Sequence, residues 1–364
     1  MINYKNEHLA YRILNKEKIF KLKKQKTLSK NLDELLKLFS KLNSPLIKDL
    51  KIQTVLNLKW VFDYLNRYLL NPDKLNESID YHKNLIRIYH DLANDNWLHN
   101  QKKINLKKDI WTNTRKSFNF MWPKTTKNNN FDLSLKMVIP RVKQICQEMP
   151  KNFLKDSKIL DSGCGPARYI NEFLKYNPKQ IIGIDSGQEI IKSNQKRFKN
   201  NKKITFKKMR FEKLNFEDNT FDYVNSAGVI HHSKADIGKT IKEHARVLKK
   251  EGYFFVFIVG KGGLQLKLWE FVRRLLNNEN ISEVYNYLNG KVSPLRIQGI
   301  LDHSFGEYQE TDRKQFEKIL KQNFKFVKRI KGIEGVDCTP ELYKSDKFFK
   351  ERFGTGDLRY ICKK

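Results

Sequence analysis

The residues best suited to chemistry lie in "KILDSGCGPARY", residues 158–169. A short apolar run ends in Asp161, then passes through Gly163 and Gly165 before an apolar, helix-like series begins. Glycine at those two positions lets the backbone turn tightly and approach a ligand without interference from a Cβ atom. A second acid, Asp185, ends the next apolar run, "QIIGID", and a carboxylate there can accept hydrogen bonds from ribose hydroxyls. A dinucleotide fits poorly. The G-x-G-x-x-G pattern would need glycine at 168, where Arg168 stands, and Asp161 would repel a pyrophosphate. A ligand carrying both positive charge and a ribose suits the pair of acids better. Farther along, "GVIHHS" places His231 and His232 together, and histidine has a pKa suited to a general base. Either histidine could instead only support its loop.

These residues need a scaffold that holds them at one edge. From about residue 151, short β-branched or aromatic runs alternate with amphipathic stretches: "KILD", "QIIGID", "ITFKK", "FDYVNSAG" and "GYFFVFIV" as strands, with "ARYINEFLKY", "QEIIKSNQKRF" and "DIGKTIKEHARVLKK" as helices. Such alternation predicts an α/β fold with a parallel, doubly wound sheet, in which ligands sit at the carboxyl ends of the strands. Residues 1–118 differ, being long stretches of helical spacing such as "NLDELLKLFSKL" and "TVLNLKWVFDYLNRYLL". A helical N-terminal domain over 1–118 is expected, then a linker and lead-in helix over 119–150, then the α/β domain over 151–364 with an insertion at about 261–310. The insertion reads as a lid over the acceptor or as an additional packed helix.

The motifs together resemble the class I S-adenosylmethionine (SAM)-dependent methyltransferases. The resemblance covers roughly residues 115–364 and rests on "ILDSGCGPARY", "IIGIDSGQEII", "FEKLNFEDNTFDYVNSAGVIHHS" and "ARVLKKEGYFFVF", in the family's order and spacing. It implies a Rossmann-like sheet of seven strands, mostly parallel with the last antiparallel, and SAM as the cofactor. It further implies that Asp161, Gly163 and Gly165 line the methionine part, that Asp185 holds the ribose, that Phe211 and Glu212 border the adenine, and that Ser226 lies beneath the methyl group. Many relatives carry an aspartate just before the position of Phe211. Here Arg210 stands there, and a guanidinium can only donate. The aromatic segment "SFNFMWP" resembles one that precedes the catalytic domain in some relatives, so Phe118 and Trp122, with Phe120 between them, are candidates to enclose the acceptor and cap the cofactor, or simply to join the two domains.

Methyl transfer is an in-line displacement with a neutral leaving group, so alignment and exclusion of water do most of the work. A base, His232 or His231, is needed only where the acceptor must lose a proton. No NPPY-like tetrad follows the fourth strand, and no cysteine stands where a pyrimidine C5 methylase would place its nucleophile. The eight histidines show no HExxH-type spacing, so no metal is expected. The acceptor is expected to be a small metabolite or a sugar or lipid precursor. One alternative is an RNA or protein acceptor docked on basic helices; another is a SAM-binding scaffold without turnover. The net charge of +32 attracts polyanions, but the excess is divided about evenly along the chain, so it says little about a nucleic-acid partner. The four cysteines form no CxxC pair, and the start "MINYKNEHLAYR" lacks the apolar run of a signal peptide. A cytoplasmic protein without a membrane span is expected; its oligomeric state is left open.

Overall fold

A computed structural model of the protein describes residues 25–41, 47–68, 70–94, 110–125, 130–233, 235–276, 278–334 and 336–364. The start "MINYKNEHLAYR", most of the basic run "EKIFKLKKQK" and residues 126–129 of a polar loop lie outside this set. In chain order the described elements begin with helices α1 (Gln25–Lys41), α2 (Ile47–Arg67), α3 (Lys74–Asn94), α4 (Ile110–Thr125) and α5 (Asn130–Gln147). Then follow β1 (Lys158–Ser162), α6 (Arg168–Phe173), β2 (Gln180–Asp185), α7 (Gln188–Arg197), β3 (Ile204–Lys208), β4 (Phe221–Ala227), α8 (Ile237–Val247) and β5 (Leu248–Val259). The remainder is α9 (Leu264–Leu276), α10 (Ile281–Leu288), α11 (Pro294–Phe305), α12 (Arg313–Asn323), β6 (Phe326–Arg329), α13 (Phe349–Phe353) and β7 (Asp357–Lys363).

The chain divides into two compact units, each assembled from separate passages. One comprises the described residues up to Ile110 with Gly262–Phe305 and Ser345–Gly354; the other comprises Trp111–Lys261, Gly306–Lys344 and Thr355–Lys364. Two expectations differ from this division. Helix α4 belongs to the α/β unit, whereas a boundary at 118/119 would cut it. The segment at about 261–310, expected as an insertion in the α/β domain, clusters with the N-terminal helices. The reason lies in α9: Leu264, Leu266, Leu268, Trp269, Phe271, Val272, Leu275 and Leu276 are all buried. A helix apolar on so many sides needs cover on more than one face, and it packs on α1, α2 and α11.

In the helical unit, Leu28, Leu32, Leu35 and Phe39 of α1 repeat at three- and four-residue steps and are buried, as are Val55, Leu58, Phe62 and Leu65 of α2. Such stripes form one apolar face per helix. Arg352 of α13 is buried in this unit and donates to the Leu65 and Leu70 carbonyls, capping the end of α2 from outside.

In the α/β unit the sheet has seven strands in the order β3-β2-β1-β4-β5-β7-β6. Strands β1 to β5 pair in parallel, and β7 runs antiparallel to both β5 and β6. This is the expected Rossmann-like sheet. The reversal of order between β2-β1 and β4 opens a crevice at the carboxyl edge. Ile159, Leu160, Ile181, Val224, Phe254 and Phe255 are buried, as strands covered by helices on both faces require.

Candidate functional site

The turn after β1 is set by backbone geometry. Gly163 has φ +77° and Gly165 φ +48°, left-handed values that favour glycine. The N–H groups of Gly163 and Cys164 both donate to the Ile184 carbonyl, at 2.9 and 2.8 Å, which fastens the turn to the end of β2. Asp185 fastens it again: its Oδ2 accepts from Gly165 N–H at 3.0 Å and its Oδ1 from Gly187 N–H at 2.9 Å. Burial pushes the Asp185 carboxyl up, and those N–H groups oppose the shift. The Ser186 N–H also bonds this carboxyl, and a carboxylate has about four lone-pair directions, so capacity remains for a ribose hydroxyl.

Asp161 is 2% exposed. Its Oδ1 accepts from Asn225 Nδ2 at 2.7 Å, while Oδ2, also buried, has no hydrogen-bond partner among the described residues. Burial pushes its carboxyl up to about 7; Asp185 adds to the rise, and Asn225 and Arg168 oppose it. A buried, half-satisfied carboxylate costs free energy until a donor or cation meets it. The sequence reading missed Asn225, whose signal was an amide inside the apolar run "FDYVNSAG". Ser226, the expected neighbour of the methyl group, is fully buried. Alternation along the strand turns its side chain away from the face of Asn225, so its backbone is the part that could face a ligand.

On the third loop, Met209 N–H donates to the Asp185 carbonyl at 2.9 Å, which brings Arg210, Phe211 and Glu212 to the edge. Phe211 packs on the core. Arg210 donates to both oxygens of Glu212, at 3.2 and 3.1 Å, and Ser233 Oγ donates to Glu212 Oε1 at 2.6 Å. Burial works to raise the Glu212 carboxyl, but these hydrogen bonds outweigh it and hold the group below its usual value. Arg210 therefore pins Glu212.

Helix α4 reaches three of the loops. Phe118 meets the His232 ring edge-on, with centroids 4.8 Å apart. Asn119 Oδ1 accepts from Glu189 N–H at 2.8 Å in the first turn of α7. The Trp122 indole lies over Gly165, 3.8 Å from where a Cβ would stand, and the Arg168 guanidinium lies 4.8 Å from its ring. His232 Nδ1 is 2.7 Å from the Glu307 carbonyl. A carbonyl only accepts, so Nδ1 carries the proton and Nε2 is the basic nitrogen of the neutral ring. His231 is different: it is 3% exposed and packed by Tyr308 and Phe257. Burial, then the neighbouring His232, pushes it well below its ordinary value, so it stays neutral. The structure thus brings Phe118, Trp122, His232, Asp161, Gly165 and Asp185 to one edge and sets His231 in a wall.

Among the described residues, no group of three or more His, Cys, Asp or Glu side chains could hold a metal ion. No described helix is long and apolar enough to cross a membrane.

Residues 160–256 match the family model of a methyltransferase domain. The chain carries a methyltransferase domain over these residues. An uncharacterized methyltransferase of Schizosaccharomyces pombe is 34% identical over 114 residues, 29% of this chain and 41% of that protein. The tRNA U34 carboxymethyltransferase of Helicobacter acinonychis is 33% identical over 103 residues, 27% of this chain and 39% of that protein. The chain thus spans about two fifths of the length of these curated relatives. Among solved structures, an S-adenosylmethionine-dependent methyltransferase from Mesorhizobium loti superposes with a TM-score of 0.40 at 13% identity, covering 62% of this chain and 96% of that one. The matched part of the methyltransferase domain holds Asp161, Gly163, Gly165, Asp185, His231 and His232; Phe118 and Trp122 lie before it.

Proposed function

We propose that the chain transfers a methyl group from SAM to a small-molecule acceptor. The observation that carries this reading is Asp161: a buried carboxylate with one unpartnered oxygen, at a glycine turn, one strand from a second acid. That pairing suits a ligand with an ammonium and a ribose, and the residues present therefore fit SAM. When bound, SAM supplies an electrophilic methyl group on a positively charged sulfur.

The chain's own residues would do the following. Asp161 takes the ammonium and so regains the partner its Oδ2 lacks. Asp185 accepts from the ribose while its N–H contacts keep the first two loops in register. Phe118 and Trp122 shield the edge from water, which favours the displacement over hydrolysis. His232 Nε2 receives a proton where the acceptor must lose one. Its bond to the Glu307 carbonyl fixes the ring's tautomer and direction. Four unbridged cysteines support the expectation of a reducing, cytoplasmic compartment.

Calorimetric titration with SAM and with its demethylated product, S-adenosylhomocysteine, tests the first premise. Release of that product in the presence of a small-molecule acceptor panel tests the second. Failure of both ligands to bind ends the reading. Binding without turnover on any acceptor favours the scaffold alternative. The similarity to a tRNA U34 carboxymethyltransferase favours a second reading, an RNA acceptor. RNA binding that weakens steeply between low and moderate salt would support it; no binding at low salt removes it.

A further inference from the structure

Two guanidiniums are buried at the β5–β7 side of the sheet's carboxyl edge. Arg359 of β7 is 0% exposed, and the side chain of Arg141 on α5 is 15% exposed. They share one carboxylate: Arg359 Nη1 donates to Asp337 Oδ2 at 2.7 Å, and Arg141 Nη2 donates to Asp337 Oδ1. The Arg141 guanidinium lies 5.7 Å from the Phe257 ring and that of Arg359 5.8 Å from the Phe255 ring. The other nearby acid, Asp357, accepts from Cys338 N–H at 2.7 Å, and burial pushes its carboxyl up to about 6. Two guanidiniums therefore share the one Asp337 side chain, and burial disfavours the charge of the second nearby acid, Asp357.

The donors are also incompletely used. Arg359 Nε and Nη2, Arg141 Nε and the Tyr169 hydroxyl are buried without a hydrogen-bond partner among the described residues. Tyr169 lies within electrostatic reach of both guanidiniums. Leaving a buried charged donor without a partner carries its full desolvation cost. Buried ion pairs add little stability over well-packed apolar residues, so packing alone does not account for this arrangement.

Its place on the sheet points to a role. Arg359 pairs with Phe257 on β5, which pairs with Ala227 on β4, two residues beyond Asn225. These positions share the face of Asp161. From β1 to β7 is three strand spacings, roughly 14 Å. The two guanidiniums therefore lie beyond β4, by Phe257 and Phe255 of β5, displaced from the acids of β1 and β2 that suit the cofactor. A planar guanidinium fork matches a carboxylate, and a small surplus of positive charge suits a monoanion better than a dianion.

We infer that Arg141, Arg359 and Tyr169 form a subsite for a carboxylate carried by the methyl acceptor. The inference rests on the methyltransferase reading. It is tested with acetate and its neutral counterpart acetamide, titrated into the full chain with and without saturating S-adenosylhomocysteine and followed by saturation-transfer NMR. Acetate is expected to bind saturably, with a dissociation constant on the order of millimolar for so small a ligand. Acetamide should not bind saturably, and S-adenosylhomocysteine affinity should be unchanged by acetate. Arg141→Gln should weaken acetate about tenfold or more while Arg141→Lys retains part of the binding; thermal melting of each variant verifies folding. No saturable acetate binding to the wild-type chain overturns the subsite, and so does wild-type affinity in a folded Arg141→Gln. Displacement of S-adenosylhomocysteine by acetate also overturns it, by giving the donors to the cofactor's own carboxylate. If S-adenosylhomocysteine does not bind, the methyltransferase reading falls, and the titration without it still decides whether an anion site exists.

Discussion

Replacing Gly163 by alanine separates two roles that a turn glycine can play. At φ +77° an L-residue is strained, by roughly 1–2 kcal/mol. An added Cβ would stand 2.3 and 2.6 Å from the two Val229 methyl groups and 3.0 Å from the Val229 Cβ. Carbon atoms settle at about 3.5–4.0 Å, so Val229 must move, and overpacking of this kind costs about 1–3 kcal/mol. The two contributions together give a loss of about 2–5 kcal/mol, read from urea unfolding of the variant against the parent chain. Val229→Ala removes the methyl groups that clash but not the backbone strain. The double variant should therefore be more stable than the two single effects added, by about 1–3 kcal/mol. Additive effects, or a single variant within about 0.5 kcal/mol of the parent, would refute the packing argument. A Gly163→Ala chain of full stability that no longer binds SAM would instead give the glycine to ligand approach alone.

Three other outcomes are expected. Asp161 sits at about 7 when folded, against an ordinary value of 3.8, so its contribution to stability is complete at pH values below about 4 and is lost as pH rises through about 7. A cationic ligand reverses that preference. SAM affinity should rise about tenfold per pH unit below 7 and then level off, with proton release seen by calorimetry in buffers of different ionisation heat; a slope that survives in Asp161→Asn would sink the assignment. His232→Ala should slow turnover about 10²- to 10⁴-fold while SAM affinity stays nearly constant, and an unchanged rate returns His232 to a structural role. Arg352→Met should destabilise the helical unit by about 3–5 kcal/mol, because Arg352 donates to two α2-end carbonyls and to Asn66 Oδ1 at 3.2 Å and faces Asp346 at 3.7 Å; an unchanged melting curve would show that water replaces these bonds.

Legibility in the sequence followed the range of the interactions. Strands β1 to β4 could be read almost to the residue, since each is a short apolar run closed by a turn. The helix pattern of "DIGKTIKEHARVLKK" ran too far: α8 ends at Val247 and β5 already starts at Leu248. Lys249 and Lys250 look helical by composition, but pairing at the strand end overrides propensity. Strand β6, "FVKR", left no signal, being four residues long, only half-buried at alternate residues and on the sheet edge. Asp161, Gly163, Gly165 and Asp185 were legible because the chemistry and the backbone turn coincide in a short segment. Asn225 and the shared Asp337 were not. Their partners stand 64 residues away for Asn225, and 196 and 22 residues away for Asp337. The partners of α9 were hidden for the same reason: periodicity reports a buried face but not what buries it.

The division of each unit into separate chain passages has a consequence for synthesis. The helical unit begins among the earliest described residues, yet it takes in Gly262–Phe305 and closes with Ser345–Gly354. A ribosome releases the chain from its N-terminus at roughly 5–20 residues per second. Helices α1 and α2 are therefore made more than 190 residues before α9, which packs on both, and before Arg352, which donates to the Leu65 carbonyl. During that interval α1 and α2 have their shared neighbour α3 but lack the cover of α9. A fragment that stops before Gly262 would lack two of the three passages from which the helical unit is assembled, so it could not complete that unit's core.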